Sequence, residues 1–516
     1  MSGRWETVRV ERRVLAVART VTSLNRVLEV VGVFADDPRV QLVFVVSRGS
    51  RFGAEVPAVL EGLGVLMIDW QEAVAEEFDL VIAASDHDDL HELRGPLVLL
   101  PHGAGFQKYS PYAVKELAGL TRSALWHEGE VVPEWIGLSH ENQRVLVPEL
   151  ADRTFVAGDP AFDTMTELRD RRERTRSALG LEPRHKLVTV TSTWGPSSLL
   201  ARWPTLPAQL MAELPWDEYR VAVVLHPNIW AAYSPWQVRH WLRTATTCGL
   251  ILIPPTGPWQ LGLAAADAVV GDQGSLSVYA AGLGLPLLMG GFDTDSTPDD
   301  SAVRRLSHGV PWLDGQQPLA AQIRDAISGV DRSLLQETSA DVFAAPGRSL
   351  YLLQEKLYDV LRLDPTVAPV RLRLPDWRPA AADVRAFHVE VTPSGHNLLG
   401  VDRFPAALAA LGRPLGSRYL IAFDDADEVS LQNASAIVTT SDHSPAALLD
   451  RYPGCRAVFD GFVGTEREGR RVRVVAGGAV EVVVASAVWL HRAAVGDVEV
   501  RIGAQEPPVG LRFQLT

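Results

Sequence analysis

The sequence predicts an α/β protein built from two parallel-sheet units in tandem and a third, smaller α/β unit after them. Three observations predict it: short apolar runs recur along the chain, stretches of helical periodicity separate them, and the series ends at a proline-rich segment. In the first 150 residues the apolar runs fall at 14–17, 40–46, 65–68, 80–83 and 97–100. Between the first two, Ser23-Leu24-Asn25 opens a run in which Leu24, Val27, Leu28 and Val31 repeat at the helical period. Such alternation implies parallel strands covered by helices. A second series runs through 155–156, 187–190, 221–225, 250–253, 268–270 and 287–289, and 350–363 (LYLLQEKLYDVLRL) reads as its closing helix. The expectation is two Rossmann-like domains, 1–150 and 151–363, facing a cleft. The proline-rich stretch 364–378 (DPTVAPVRLRLPDWR) reads as a linker. Residues 379–516 read as an accessory α/β domain, with strands at 419–423 and 436–439 and a β-rich end from Val472.

A chain of 516 residues is too long for one hydrophobic core. With 49 Lys and Arg against 63 Asp and Glu it carries a net charge of −14, which disfavours nucleic acid and anionic membranes as partners of the surface as a whole. A local basic surface stays open. The opening MSGRWETVRVERRV has no apolar signal region, and no run approaches the roughly 18 apolar residues of a membrane span. The expectation is a cytoplasmic protein with no integral membrane segment. Cys248 and Cys455 stand far apart in the sequence and suggest neither a zinc cluster nor a disulfide framework.

Four stretches that could carry chemistry each follow an expected strand, at the sheet edge where open parallel sheets bind ligands. The first is Pro101-His102-Gly103-Ala104-Gly105-Phe106-Gln107-Lys108. His102 could act as a general base or hold an anion, and the glycines would bring backbone amides close to a ligand. The second, Thr191-Ser192-Thr193-Trp194-Gly195-Pro196-Ser197-Ser198, sets hydroxyls around a glycine before a helix, as an anion site does. It is not a P-loop, because the Gly-Lys-Ser/Thr signature is missing. The third is His226-Pro227-Asn228, a histidine ending a buried strand. The fourth is Asp272-Gln273-Gly274-Ser275-Leu276-Ser277, followed by a small-residue helix and Gly284-Leu285-Pro286. There Ser275 and Ser277 would stand at a helix N-terminus, where a diphosphate is favoured. Two acidic runs, Asp86-His87-Asp88-Asp89 with His91 and Asp424-Asp425-Ala426-Asp427, read as capped or exposed turns, and no metal site is expected.

Taken together and in order, these motifs resemble the GT-B superfamily of nucleotide-dependent glycosyltransferases over the chain up to about residue 363. Within it they are most similar to the CDP-glycerol glycerophosphotransferases of teichoic acid synthesis. The counterparts are His102-Gly103, the crossover Gly158-Asp159-Pro160-Ala161-Phe162-Asp163, Thr191-Ser192-Thr193-Trp194, His226-Pro227, and Ala266-Asp267 with Asp272 to Ser275. Three positions depart from the pattern. Ala161 stands for arginine, Gly274 for the first serine of a pair, and Tyr279 for the glutamate that holds ribose hydroxyls in many GT-B enzymes. The resemblance implies a transferase moving a sugar or polyol-phosphate from a nucleotide-activated donor to a hydroxyl acceptor, with no metal or other cofactor. It implies catalytic roles for His102 and His226, and donor contacts from Gly103, Gly105, Thr193, Trp194, Gly195, Asp272, Gln273, Gly274, Ser275 and Ser277, with Lys108 supplying charge. Two alternatives are a non-hydrolysing UDP-sugar 2-epimerase and a catalytically silent GT-B scaffold.

Overall fold

The structure is a computed structural model that describes residues 8–85, 89–111, 113–329, 331–371, 373–413, 418–504 and 507–516. Most of the first acidic run, Asp86 to Asp88, lies outside the described residues. The first domain contains strands β1 (Arg12–Ala18), β2 (Val40–Val46), β3 (Met67–Ile68), β4 (Leu80–Ala83) and β5 (Leu97–Leu99). A small hairpin of β6 (Trp126–His127) and β7 (Glu130–Val131) precedes β8 (Trp135–Leu138) and β9 (Thr154–Val156). All strands but the hairpin form one parallel sheet in the order β3-β2-β1-β4-β5-β8-β9. Alternate residues of β1 face opposite cores: Val14, Ala16 and Ala18 pack into one, Leu15 and Val17 into the other. Burial on both faces explains why this strand reads as a continuous apolar run.

The second domain repeats the plan with β10 (Lys186–Ser192), β11 (Tyr219–Leu225), β12 (Ile251–Ile253), β13 (Ala268–Gly271) and β14 (Leu287–Met289). They form a parallel sheet ordered β12-β11-β10-β13-β14. Strand order thus reverses beside the first strand of each sheet, and loops from that edge form the ligand-binding crevice of such folds.

The domain limits differ from the sequence expectation in two places. Strand β9, read as the start of the second series, pairs with β8 and completes the first sheet. The closing helix, Ser349–Leu361, sets Leu350, Leu353, Leu357 and Tyr358 into the core beneath β1. The chain therefore crosses back to the first domain after building the second. An apolar run reveals that a strand is buried, not which sheet receives it.

The third domain has the strands β15 (Ala386–Gly395), β16 (Leu398–Pro405), β17 (Arg418–Phe423), β18 (Ala436–Thr439), β19 (Ala457–Asp460), β20 (Val463–Glu466), β21 (Arg471–Ala476), β22 (Gly496–Ile502) and β23 (Val509–Leu515). They close into a mixed barrel in the order β15-β16-β22-β23-β21-β20-β19-β18-β17. The Val482–Arg492 helix is buried without a break from Val483 to Leu490 and packs among barrel strands, which explains its all-round apolar sequence. In the second acidic run, Asp424 accepts hydrogen bonds from the Thr439 and Thr440 hydroxyls at 2.8 and 2.9 Å, and Asp427 caps the Glu428–Asn433 helix. Both carboxylates are occupied; Asp425 and Asp427 are exposed, as the reading of an exposed turn expects, whereas the Asp424 side chain is buried among its donors.

Arg403 on β16 joins the barrel to the second domain. Its guanidinium grips the Asp217 carboxylate at 2.6 and 2.9 Å, with both side chains fully buried. Arg403 also pairs with Glu481, so Asp217→Asn removes one of two carboxylate partners and should lower stability by about 1–3 kcal/mol. Replacing both with apolar residues should cost less. Urea unfolding of the single and double variants measures the difference.

Candidate functional site

A cleft of about 490 Å³ lies between the two parallel-sheet domains. The first domain lines it with the loop after β5, including His102, Gly103, Gly105 and Lys108. The second contributes Thr193, Trp194 and Gly195 after β10, His226 after β11, and Asp272, Gln273, Gly274 and Ser275 after β13. Of the residues named above as catalytic, donor-contacting or charge-supplying, all but Ser277 line this cleft. That side chain is fully buried and donates to the Asp272 carbonyl at 2.6 Å, so it shapes the loop from behind.

The two glycines beside His102 serve the backbone in different ways. Gly105 has φ +65°, and a Cβ there would collide with the Gln143 side chain. Gly103 needs no special φ, but a Cβ would stand 3.1 Å from Ser275 Oγ across the cleft. The two walls approach closely here, and an added side chain would require Ser275 to shift by a few tenths of an ångström.

Asp272 organises the second wall. Its buried carboxylate accepts the backbone N–H of Thr193 at 2.8 Å, Leu199 at 2.9 Å and Gly274 at 2.9 Å. It ties the loop after β10 to the start of the Ser275–Gly282 helix. Burial pushes this carboxyl above its ordinary range, opposed by Lys108 and the three amides. Lys108 reaches over from the first domain and donates to Thr193 Oγ1 at 2.8 Å. Burial pushes its ammonium below the ordinary value, against the pull of Asp272 and Asp293. Beside it, Gln273 donates to Ser197 Oγ at 3.3 Å, and Ser197 donates to Asp293 at 2.8 Å.

His226 caps the Pro227–Tyr233 helix, with Nδ1 accepting the Asn228 amide at 3.1 Å. Burial, reinforced by Lys108 and His102, holds its pKa down to about 3. The ring is neutral near pH 7, and with Nδ1 occupied its proton sits on Nε2. His226 therefore offers the cleft a hydrogen-bond donor, not a base. Trp194 stands between it and the first domain, its ring centre 6.4 Å from the imidazole and 5.3 Å from Phe52.

The cleft floor holds a group the motifs did not reveal. Arg26, on the Val21–Val31 helix, reaches the Asp159 carboxylate at 3.1 and 3.3 Å, Tyr279 Oη at 3.0 Å and Glu29 at 3.3 Å. Tyr279, on the Ser275–Gly282 helix, donates to the same Asp159 at 2.8 Å. Burial opposes the charge on Arg26, but Asp159, Tyr279 and Glu29 more than offset it. Burial raises the Glu29 carboxyl to about 7 despite Arg26. Asp159 belongs to the quoted crossover motif, whereas Arg26 sits in an unremarkable helical run. Only the fold brings it beneath the cleft.

Two parallel-sheet domains facing a cleft make this a GT-B-like fold. No protein-family model and no curated protein matches the chain. Similar solved structures include MnaA of S. aureus with UDP, 13% identical over 70% of this chain and 100% of that one, at TM-score 0.42. A variant of the wall teichoic acid polymerase TagF soaked with CDPG is 11% identical over 68% and 90%, at TM-score 0.46. UDP-GlcNAc 2-epimerase from Neisseria meningitidis with UDP-GlcNAc is 14% identical over 67% and 100%, at TM-score 0.44.

Two opposite pH dependences follow. His226 titrates near 3 when folded and near 6.5 when free, so unfolding takes up a proton in that window and stability falls as pH drops through it. Glu29 titrates near 7 when folded and near 4.5 when free, so stability falls as pH rises through that window. Between about pH 4.5 and 6.5 the two oppose each other. Urea unfolding from pH 4 to 8 should show His226→Gln and Glu29→Gln shifting the stability slope in opposite directions. Each change should be at most about 1.4 kcal/mol per pH unit.

Proposed function

We propose that the protein is a GT-B-type transferase that moves a sugar or polyol-phosphate from a nucleotide-activated donor to a hydroxyl acceptor. The observation that carries this reading is the donor-rich centre of the cleft, where Lys108, the His226 Nε2–H and the start of the Ser275–Gly282 helix share one space. Its volume suits a ligand of nucleotide size. As the bond to the transferred group breaks, the nucleotide phosphate leaves with added negative charge. An ammonium, a neutral N–H donor and a helix N-terminus stabilise that charge with little rearrangement. His102 is the group assigned to take the acceptor's hydroxyl proton, since His226 has no accessible lone pair. In this reading Asp272 braces the loops, and its own carboxylate does not face the donor phosphate.

Tyr279 bears on the donor's ribose. Its hydroxyl lies between Arg26 and Asp159, so it does not replace the glutamate that the resemblance expects to hold a ribose diol. The same fact favours a second reading, a GT-B scaffold that binds a nucleotide without turnover.

Thermal unfolding with CDP-glycerol and with UDP-, GDP-, dTDP- and CDP-sugars tests both. A bound donor raises Tm; no shift with any nucleotide contradicts both readings. Lys108→Met should weaken the responsive donor about 10- to 100-fold, the worth of a charge-assisted hydrogen bond. His102→Ala should keep donor binding and lower donor turnover about 10²- to 10⁴-fold. Binding by the wild type without any turnover supports the scaffold.

A further inference from the structure

The chain crosses between the two sheet domains at 157–159 and again at 343–348, and the two crossings lie side by side. A Cβ on Gly158 would stand 3.2 Å from the Ala344 carbonyl oxygen and 3.2 Å from Ser349 Cβ. The Asp163 carboxylate laces the pair together, accepting the backbone N–H of Gly347 at 2.6 Å and of Ser349 at 2.9 Å. Two adjacent crossings form a hinge, and rotation about it opens or closes the cleft.

A third crossing lies off that hinge. Once the Ser349–Leu361 helix has returned to the first domain, the proline-rich segment 364–378 leads back to the second. Its first half is fastened to the first domain. The Asp364 carbonyl accepts from Arg39 at 2.8 Å, the Val367 carbonyl accepts from Gln354 at 3.0 Å, and the Val370 N–H donates to the Gly32 carbonyl at 3.1 Å. The next residue changes sides. Arg371 pairs with Glu167 on the Pro160–Asp170 helix, whose Phe162 and Met165 lie in a core of the second domain. Leu374 and Trp377 then pack on a core that holds Leu179, Leu181, Ile251 and Ile253, and the Asp383 amide donates to the Thr247 carbonyl at 2.8 Å. Glu167 stands two helical turns beyond Pro160, about 10 Å from the hinge. Arg371 is also near enough to Glu29, which lines the cleft, for its charge to lower that carboxyl's pKa.

We propose that segment 364–378 is a strap that holds the cleft closed by tying the two domains together away from their hinge. The walls already touch, with Lys108 of one domain on Thr193 of the other at 2.8 Å. Opening about the hinge would draw the Val370 and Arg371 attachments apart, and neighbouring residues have no slack, since one extended residue spans at most about 3.6 Å. Prolines at 365, 369, 375 and 379 fix φ and stiffen the strap on both sides of that junction. The barrel secures its far end: the chain enters β15 after Asp383, and Arg403 pins β16 to Asp217 of the second domain. This gives residues 379–516 a mechanical role, and the inference is independent of the reaction assigned to the cleft.

Pulsed dipolar spectroscopy of the full chain tests it. Spin labels on Glu61→Cys of the Val56–Leu63 helix and Glu337→Cys of the Arg332–Val342 helix, both exposed, report the distance between the domains. Cys248 and Cys455 are buried and stay unlabelled. The intact strap should give one narrow distance distribution. About six Gly and Ser residues inserted between Val370 and Arg371 should broaden it toward longer distances, within the ~13 Å that such an insertion spans. Arg371→Gln with Trp377→Ser, which keeps the chain length, should broaden it in the same direction. The same insertion after Ala381 lies between two attachments to the second domain and should leave the distribution narrow. A broad distribution with the intact strap, no change on insertion at the junction, or equal broadening by the insertion after Ala381 overturns the proposal.

Discussion

The interaction on which the cleft depends is the buried contact of Arg26 with Asp159 and Tyr279. Arg26 belongs to the first helix of the first domain, Asp159 starts the helix that carries the chain out of it, and Tyr279 belongs to the second domain. One guanidinium therefore ties together three segments remote in sequence. A charge this deeply buried is tolerated only when it is paired, and the partners of its two terminal nitrogens fix where those segments stand relative to one another. Arg26 also approaches the Gly103 carbonyl at 3.4 Å, linking this floor to the loop that carries His102.

Above the floor, two further carboxylates order the walls without themselves being suited to bind an anion. Asp272 gathers three amides from two loops, and Asp293 holds Ser197 beside Gln273. Lys108 faces both and balances them. Neutral His226 adds a donor without adding charge. The cleft centre thus sets the Lys108 ammonium among neutral donors and the two carboxylates that balance it. The barrel domain is fastened separately, through Arg403 and Asp217, and its buried helix accounts for the apolar stretch near the end of the chain.

Much of this was legible in the sequence because local signals report local chemistry. The strands and the loops that follow them stood out as apolar runs broken by Gly, Pro and hydroxyl residues, and those loops do meet at one cleft. Residues whose position depends on tertiary structure were not legible. Arg26 and Glu29 lie on a helix whose period shows only its buried face. Ser277 shares a helix start with Ser275, yet one turns inward and the other to the cleft, and both fit the same motif. Gly103 and Gly105 read alike, but one answers a left-handed backbone and the other a neighbouring domain. Strand β9 and the Ser349–Leu361 helix return to a sheet begun more than a hundred residues earlier, and no local pattern encodes that return.

The charge cluster holds both domains as one frame around the cleft. Amide hydrogen exchange of Tyr279→Phe, which keeps the ring and removes only the hydroxyl between Arg26 and Asp159, tests it most directly. Faster exchange is expected in the Val21–Val31 helix of the first domain together with the Ser275–Gly282 helix of the second, with the barrel unchanged. Faster exchange confined to the Ser275–Gly282 helix, or none at all, would contradict it.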